Sequence, residues 1–119
     1  MDKRSEALER DGIVFETDGE ECVFFVSGEL DHHSVRDIRE QIDKVLAERR
    51  PERVVLDLQG VTFTDSAGLG LILGRYTRIK DSGGSLRLVN VPPRFMKILT
   101  MSGAQRLFEI RPAEKKERN

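Results

Sequence analysis

The stretch from Val54 to Val91 constrains this chain more than any other. It opens on Val54-Val55-Leu56-Asp57-Leu58, an apolar run with β-branched residues at its start. Such a run suits a central strand covered on both faces. Gly60 is expected to break it, with Val61 to Phe63 resuming extended chain briefly. The spacing then predicts a helix from Ser66 to about Asp81, with Leu69, Ile72, Leu73, Tyr76 and Ile79 on one apolar stripe. Ser82-Gly83-Gly84 terminates it, because a glycine just past the last turn readily closes a helix. Leu86 to Val91 reads as another strand. A strand, a helix and a strand of these lengths form a right-handed crossover, so the two strands pair in parallel.

The flanking segments extend this unit. Residues 1–11 are charged and are expected to fray. Gly12 to Thr17 and Cys22 to Ser27 read as strands around an Asp18-Gly19 turn, which makes a hairpin. Gly28 to His33 is expected to end the second strand and lead into a helix. Val35, Ile38, Ile42, Val45 and Leu46 share a face of that helix, Asp31 or Ser34 could cap it, and Pro51 stops it. Pro92-Pro93 opens a further helix with Phe95, Ile98 and Leu99 as core candidates, and Gly103 ends it. Leu107 to Ile110 reads as a last strand. Residues 111–119 form a polar tail, expected to be disordered. The fold class is therefore α/β. It is one domain over residues 12–110, in the order β-β-α-β-α-β-α-β, with helices packed on a mixed sheet.

Composition narrows the function. The 119 residues suit a single core, and 20 Lys+Arg against 21 Asp+Glu give a net charge of -1. That balance supports neither a nucleic-acid binder nor a polybasic membrane patch. No apolar run reaches bilayer length and residues 1–10 do not read as a signal peptide, so a cytoplasmic protein is expected. The one cysteine, Cys22, lies in an apolar run and reads as a small core residue.

The chemistry concentrates at the junction Asp65-Ser66, where strand meets helix. A helix start offers unpaired N–H groups and the positive end of the dipole, which suit a phosphate. Small neighbours at Ala67, Gly68 and Gly70 would let a large partner approach. Equally, Asp65 and Ser66 are ordinary capping residues, and both readings can hold together. Enzymatic readings lack their parts. A nucleophilic serine needs a base, and the only histidines, His32 and His33, cannot be placed beside Ser66 from sequence. No Gly-x-Ser-x-Gly elbow and no Gly-Lys-Ser/Thr phosphate loop is present. Asp57 and Asp65 lack the clustered carboxylates of a magnesium-dependent phospho-aspartate site. Asp31-His32-His33 lacks further ligands for a tetrahedral metal and reads as a polar loop. Three glycines inside helix 66–81, at 68, 70 and 74, cost about 1 kcal/mol each relative to alanine and need a reason in packing or recognition. Met96 and Met101 could edge a binding surface, with core as the default.

Asp65-Ser66-Ala67-Gly68-Leu69-Gly70-Leu71-Ile72-Leu73-Gly74-Arg75-Tyr76 and Gly28-Glu29-Leu30-Asp31-His32-His33 together resemble two motifs of the STAS-domain anti-sigma-factor antagonists, the sporulation members nearest. Ser82-Gly83-Gly84 and Met101-Ser102-Gly103 strengthen the resemblance, which spans Ile13 to Ile110. It implies a STAS fold with Ser66 as a phosphorylated serine and no catalytic group or cofactor. It implies as partners an anti-sigma factor that is also a serine kinase, and a PP2C-type phosphatase. The implied docking face comprises Asp31, His32, His33, Asp65, Ser66, Ala67, Gly68, Leu69 and Gly70. Ala67 stands where the sporulation members carry a second serine, so only one hydroxyl is available at the junction. An alternative role is a STAS subunit of a larger assembly, stressosome-like or lipid-transport-like.

Overall fold

The computed structural model describes residues 6–10 and 13–114. Its elements are β1 (Glu6–Arg10), β2 (Ile13–Asp18), β3 (Glu21–Leu30), α1 (Val35–Arg49), β4 (Arg53–Thr64), α2 (Ser66–Asp81), β5 (Ser85–Val91), α3 (Pro93–Ser102), a short 3-10 turn (Ala104–Arg106) and β6 (Glu109–Pro112). One six-stranded sheet runs β1-β2-β3-β4-β5-β6. The β1–β2 and β2–β3 pairs are antiparallel, and the pairs from β3 to β6 are parallel. The mixed sheet, the hairpin and the parallel crossover follow the sequence reading.

The helices share one side of the sheet. Three right-handed crossovers that all step the same way across a sheet must put their helices on the same face. A single apolar core accordingly joins Phe24, Val26, Leu56, Leu58 and Leu88 of the strands to Ile42, Val45, Ile72, Leu99 and Phe95 of the helices. Cys22 is fully buried there, and burial pushes its thiol pKa up to about 12. The thiol therefore stays protonated and inert. α2 buries Leu71 and Arg75 along with Ile72 and Ile79, while Leu69, Leu73 and Tyr76 are half-buried. The apolar stripe is thus rotated from the one the spacing suggested. Arg75 can enter because Asp43 of α1 stands 2.9 Å from its Nε, a close charge contact rather than an aligned hydrogen bond.

Four boundaries differ from the sequence reading, each for a non-local reason. Residues 6–10 pair with β2 as an edge strand, so part of the expected frayed extension belongs to the sheet. β3 continues through Gly28 to Leu30, because β4 offers it partners up to Thr64. β4 likewise runs through Gly60 unbroken. A bulge absorbs the mismatch: Phe25 pairs with Asp57, but Ser27 pairs with Gly60. The Asp57 carboxylate pins it, accepting from Gln59 N–H (3.0 Å) and from Asn90 Nδ2 (2.9 Å). A Cβ at Gly60 would lie 2.7 Å from Ser27 Cβ, so the strands need glycine there. Last, the 3-10 turn delays the final strand to Glu109–Pro112, and Ala113 N–H still bonds Val91 O. The expectations for residues 1–5, 11–12 and 115–119 lie outside the described residues.

Candidate functional site

The bulge has a consequence at the C-terminal ends of β3 and β4. Together with a second shift between Gly28 and Glu29, it sets the register in which Glu29 pairs with Phe63 and Leu30 with Thr64. Asp65 N–H then donates to Leu30 O at 3.3 Å. The two segments that stand 34 residues apart by numbering, at Asp31 and Asp65, are thereby stitched side by side. The structure brings the 31–34 loop and the start of α2 together.

At α2, Asp65 is the cap and Ser66 is the first helical residue. Asp65 has extended backbone (φ -125°, ψ -162°), and its Oδ1 accepts from Ala67 N–H at 2.8 Å. The carboxylate that neighbours Ser66 is therefore occupied in holding the helix. Ser66 itself caps nothing. It is exposed, and its hydroxyl has no hydrogen bond among the described residues. The sequence reading, which shared the capping role between them, is corrected on this point.

The glycines of α2 divide into two kinds. Gly68 is buried, and a Cβ there would fall 2.0 Å from Thr64 Oγ1 and 3.3 Å from Leu30 Cβ. It belongs to the expected docking face only through the shape it permits: it lets α2 lie on the ends of β3 and β4. A Cβ added at Gly70 or Gly74 would meet nothing within 4 Å, so no contact within the chain requires these two glycines. Gly70 is exposed, and Ala67 and Leu69 are half-buried beside it.

The 31–34 loop is a locked turn. Asp31 Oδ1 accepts from His33 N–H (2.9 Å) and Ser34 N–H (3.0 Å). Ser34 answers by accepting from Asp31 N–H (3.1 Å) and donating its hydroxyl to Glu29 O. The Ser34 N–H bond foremost, then that of His33, holds the Asp31 carboxyl below its ordinary value of 3.8. Ser34 is the residue before α1, but it sits in helical backbone and makes no side-chain cap. His32 and His33 project at the tip, exposed, with ring centroids 4.0 Å apart. Among the described residues no group of three or more His, Cys, Asp or Glu could hold a metal ion.

One residue of this surface escaped the sequence reading. Phe63 is 47% exposed, at the end of β4 and opposite Glu29. An aromatic in a short extended run reads as core; Val61 is buried, and the second register shift, between Gly28 and Glu29, turns Phe63 outward. Its one legible signal is its position three residues before Ser66.

The STAS domain model matches residues 6–117. The anti-sigma F factor antagonist of Paenibacillus polymyxa is 44% identical over 94 residues, 79% of this chain and 78% of the relative. That of Lysinibacillus sphaericus is 36% identical over 84 residues, 71% and 72% of the two chains. The solved structure of the phosphorylated form of SpoIIAA, a Bacillus cell-fate determinant, superposes with a TM-score of 0.63 at 26% identity, covering 89% of each chain. The chain belongs to the STAS-domain family.

Proposed function

We propose that this STAS-domain chain is an anti-sigma-factor antagonist and that phosphorylation of Ser66 switches its docking off. The observation that carries this reading is the free, exposed Ser66 hydroxyl at the start of α2, beside the locked loop that presents His32 and His33. The names of the P. polymyxa and L. sphaericus relatives support the antagonist role, and the phosphorylated form of SpoIIAA supports a phosphate-bearing state. In this reading the unmodified face, from Asp31 to His33 and from Asp65 to Gly70, binds an anti-sigma factor and frees its sigma factor. The anti-sigma factor is also a serine kinase. Ser66 Oγ takes the γ-phosphoryl group of ATP, its proton leaves to a base on the kinase, and ADP departs. A PP2C-type phosphatase hydrolyses the ester and restores binding. This chain is the phosphoacceptor and supplies no catalytic group.

The physical effect of the phosphate is local. It adds about -1.5 to -2 charges next to the Asp65 carboxylate. At a helix N-terminus such charge is tolerated by the unpaired N–H groups and the dipole, so the fold survives. What changes is the surface: a bulky dianion now stands where a partner must approach the glycine-lined turn. Incubation with ATP and a cognate kinase, followed by phosphopeptide mass spectrometry, tests the reading. Phosphate on Ser66 is expected, and phosphate uptake persisting in Ser66→Ala would overturn the site. Ser66→Ala should bind the anti-sigma factor irreversibly with respect to ATP, and Ser66→Asp should bind poorly.

A further inference from the structure

The side of the sheet away from the helices carries its own pattern. Its residues are Val14, Glu16 and Asp18 of β2, Glu21, Val23 and Phe25 of β3, Arg53, Val55 and Asp57 of β4, and Ser85, Arg87 and Val89 of β5. No helix of the described residues packs there; Val55, at the centre of the sheet, is buried among its neighbours at 3% exposed but lies outside the core that joins strands to helices. Val14 and Phe25 are each 36% exposed. Parallel sheets are almost always covered on both faces, because their strands are apolar on both sides. Here apolar residues stand on a side that no helix among the described residues covers, and Val14 and Phe25 keep a third of their surface accessible.

We propose that a second copy of this chain covers this face, in a two-fold dimer whose axis runs along the strands between β3 and β4. The register supplies the argument. One row across the sheet reads Glu16, Val23, Val55, Arg87. The next reads Asp18, Glu21, Arg53, Ser85, and the third Val14, Phe25, Asp57, Val89. A two-fold axis along the strands lays β2 over β5 and β3 over β4, and turns each row end for end. Glu16 then faces Arg87 of the partner subunit, and Glu21 faces Arg53 of the partner subunit. Val23 meets Val55 of the partner subunit, and Val14 meets Val89 of the partner subunit. Phe25 covers Asp57 of the partner subunit, whose two oxygens are already satisfied by Gln59 and Asn90.

The face is thus acidic on the β2–β3 half, basic on the β4–β5 half and apolar along the middle. That is the charge arrangement an isologous interface needs, since the same patch must complement itself. Packed sheets cross at about 30°, which slides the outer pairs without exchanging acid for base. α2 lies on the opposite side, so both copies keep Ser66 accessible. The dimer carries two switches, and its formation is independent of the proposed function.

Sedimentation velocity of the full chain over a concentration series tests the assignment. A concentration-dependent dimer is expected. Glu16→Arg alone should weaken it at least about tenfold, by setting Arg against Arg87 of the partner subunit. Arg87→Glu should weaken it likewise, and the double variant should restore it. Phe25→Asp should abolish it. Circular dichroism melts separate a lost interface from a lost fold, and Glu16→Arg, a surface change on β2, keeps the test open if Arg87→Glu fails to fold. A chain that stays monomeric at every concentration overturns the proposal. So does a dimer indifferent to the single reversals, or one that the double variant does not restore. A monomer that dimerises only after removal of residues 1–5 also overturns it, by assigning the face to the chain's own N-terminus.

Discussion

Ser34 and Ser66 stand at the starts of two neighbouring helices on one surface, and they are used in opposite ways. Ser66 follows a cap that does the capping: Asp65 takes the Ala67 N–H, and the serine is left exposed and unbonded. Ser34 has no such relief. Its hydroxyl donates to Glu29 O and accepts from Asp31 N–H, and it holds the turn that carries His32 and His33. A hydroxyl committed to two backbone partners is a poor phosphate acceptor, since modification would cost both bonds and the turn they close. The difference teaches that the switch proposed at Ser66 depends on a neighbour, Asp65, that takes over the structural duty.

The comparison can be broken most sharply at the hydroxyls themselves. Ser66→Ala should eliminate phosphate uptake from the cognate kinase, whereas Ser34→Ala should retain it and weaken anti-sigma-factor binding, read by labelled-phosphate transfer and calorimetry. Uptake lost equally in both would erase the distinction. Next comes the packing beneath Ser66. Gly68→Ala should destabilise by about 1–3 kcal/mol, because the methyl meets Thr64 and Leu30. Gly70→Ala, in open space, should instead stabilise by up to about 1 kcal/mol, and a pair of urea titrations would measure both. Removing the cap is a smaller step: Asp65→Ala should cost about 1 kcal/mol and leave the serine on a fraying turn, visible as faster amide exchange at Ala67. The smallest effect belongs to Asp31. Its carboxyl is held below 3.8, so its contribution is fully present above that value and is lost only as pH falls through the lower, folded value. Because Asp31 is exposed, the His33 and Ser34 amides should loosen in acid with little change in global stability, which an NMR pH titration of those amides would follow.

Local signals were legible where the physics is short-range. The limits of α2 at Ser66 and Asp81 follow from Asp65 before it and Ser82-Gly83-Gly84 after it, all within one turn of the ends. The hairpin at Asp18-Gly19 and the stop at Gly103 are of the same kind, both glycines taking positive φ (63° and 84°). Gly60 misled because a glycine breaks a strand only when no neighbour needs the close approach, and Ser27 needs it. Gly68 and Gly70 are indistinguishable in sequence; one faces Thr64 and Leu30, and the other faces open space.

By itself the sequence determined the order of elements from β2 onward, the parallel crossover, and a serine at a helix start beside a single carboxylate. Those depend on propensities and periodicities that act over a few residues. The tertiary structure decided which carboxylate caps, that Leu30 O meets Asp65 N–H, that Phe63 turns outward, and that the described helices all pack on one face of the sheet. Each depends on the register between strands distant in sequence, and the two shifts in the β3–β4 pairing, at Asp57–Gly60 and between Val61 and Phe63, reset which side chains face which way.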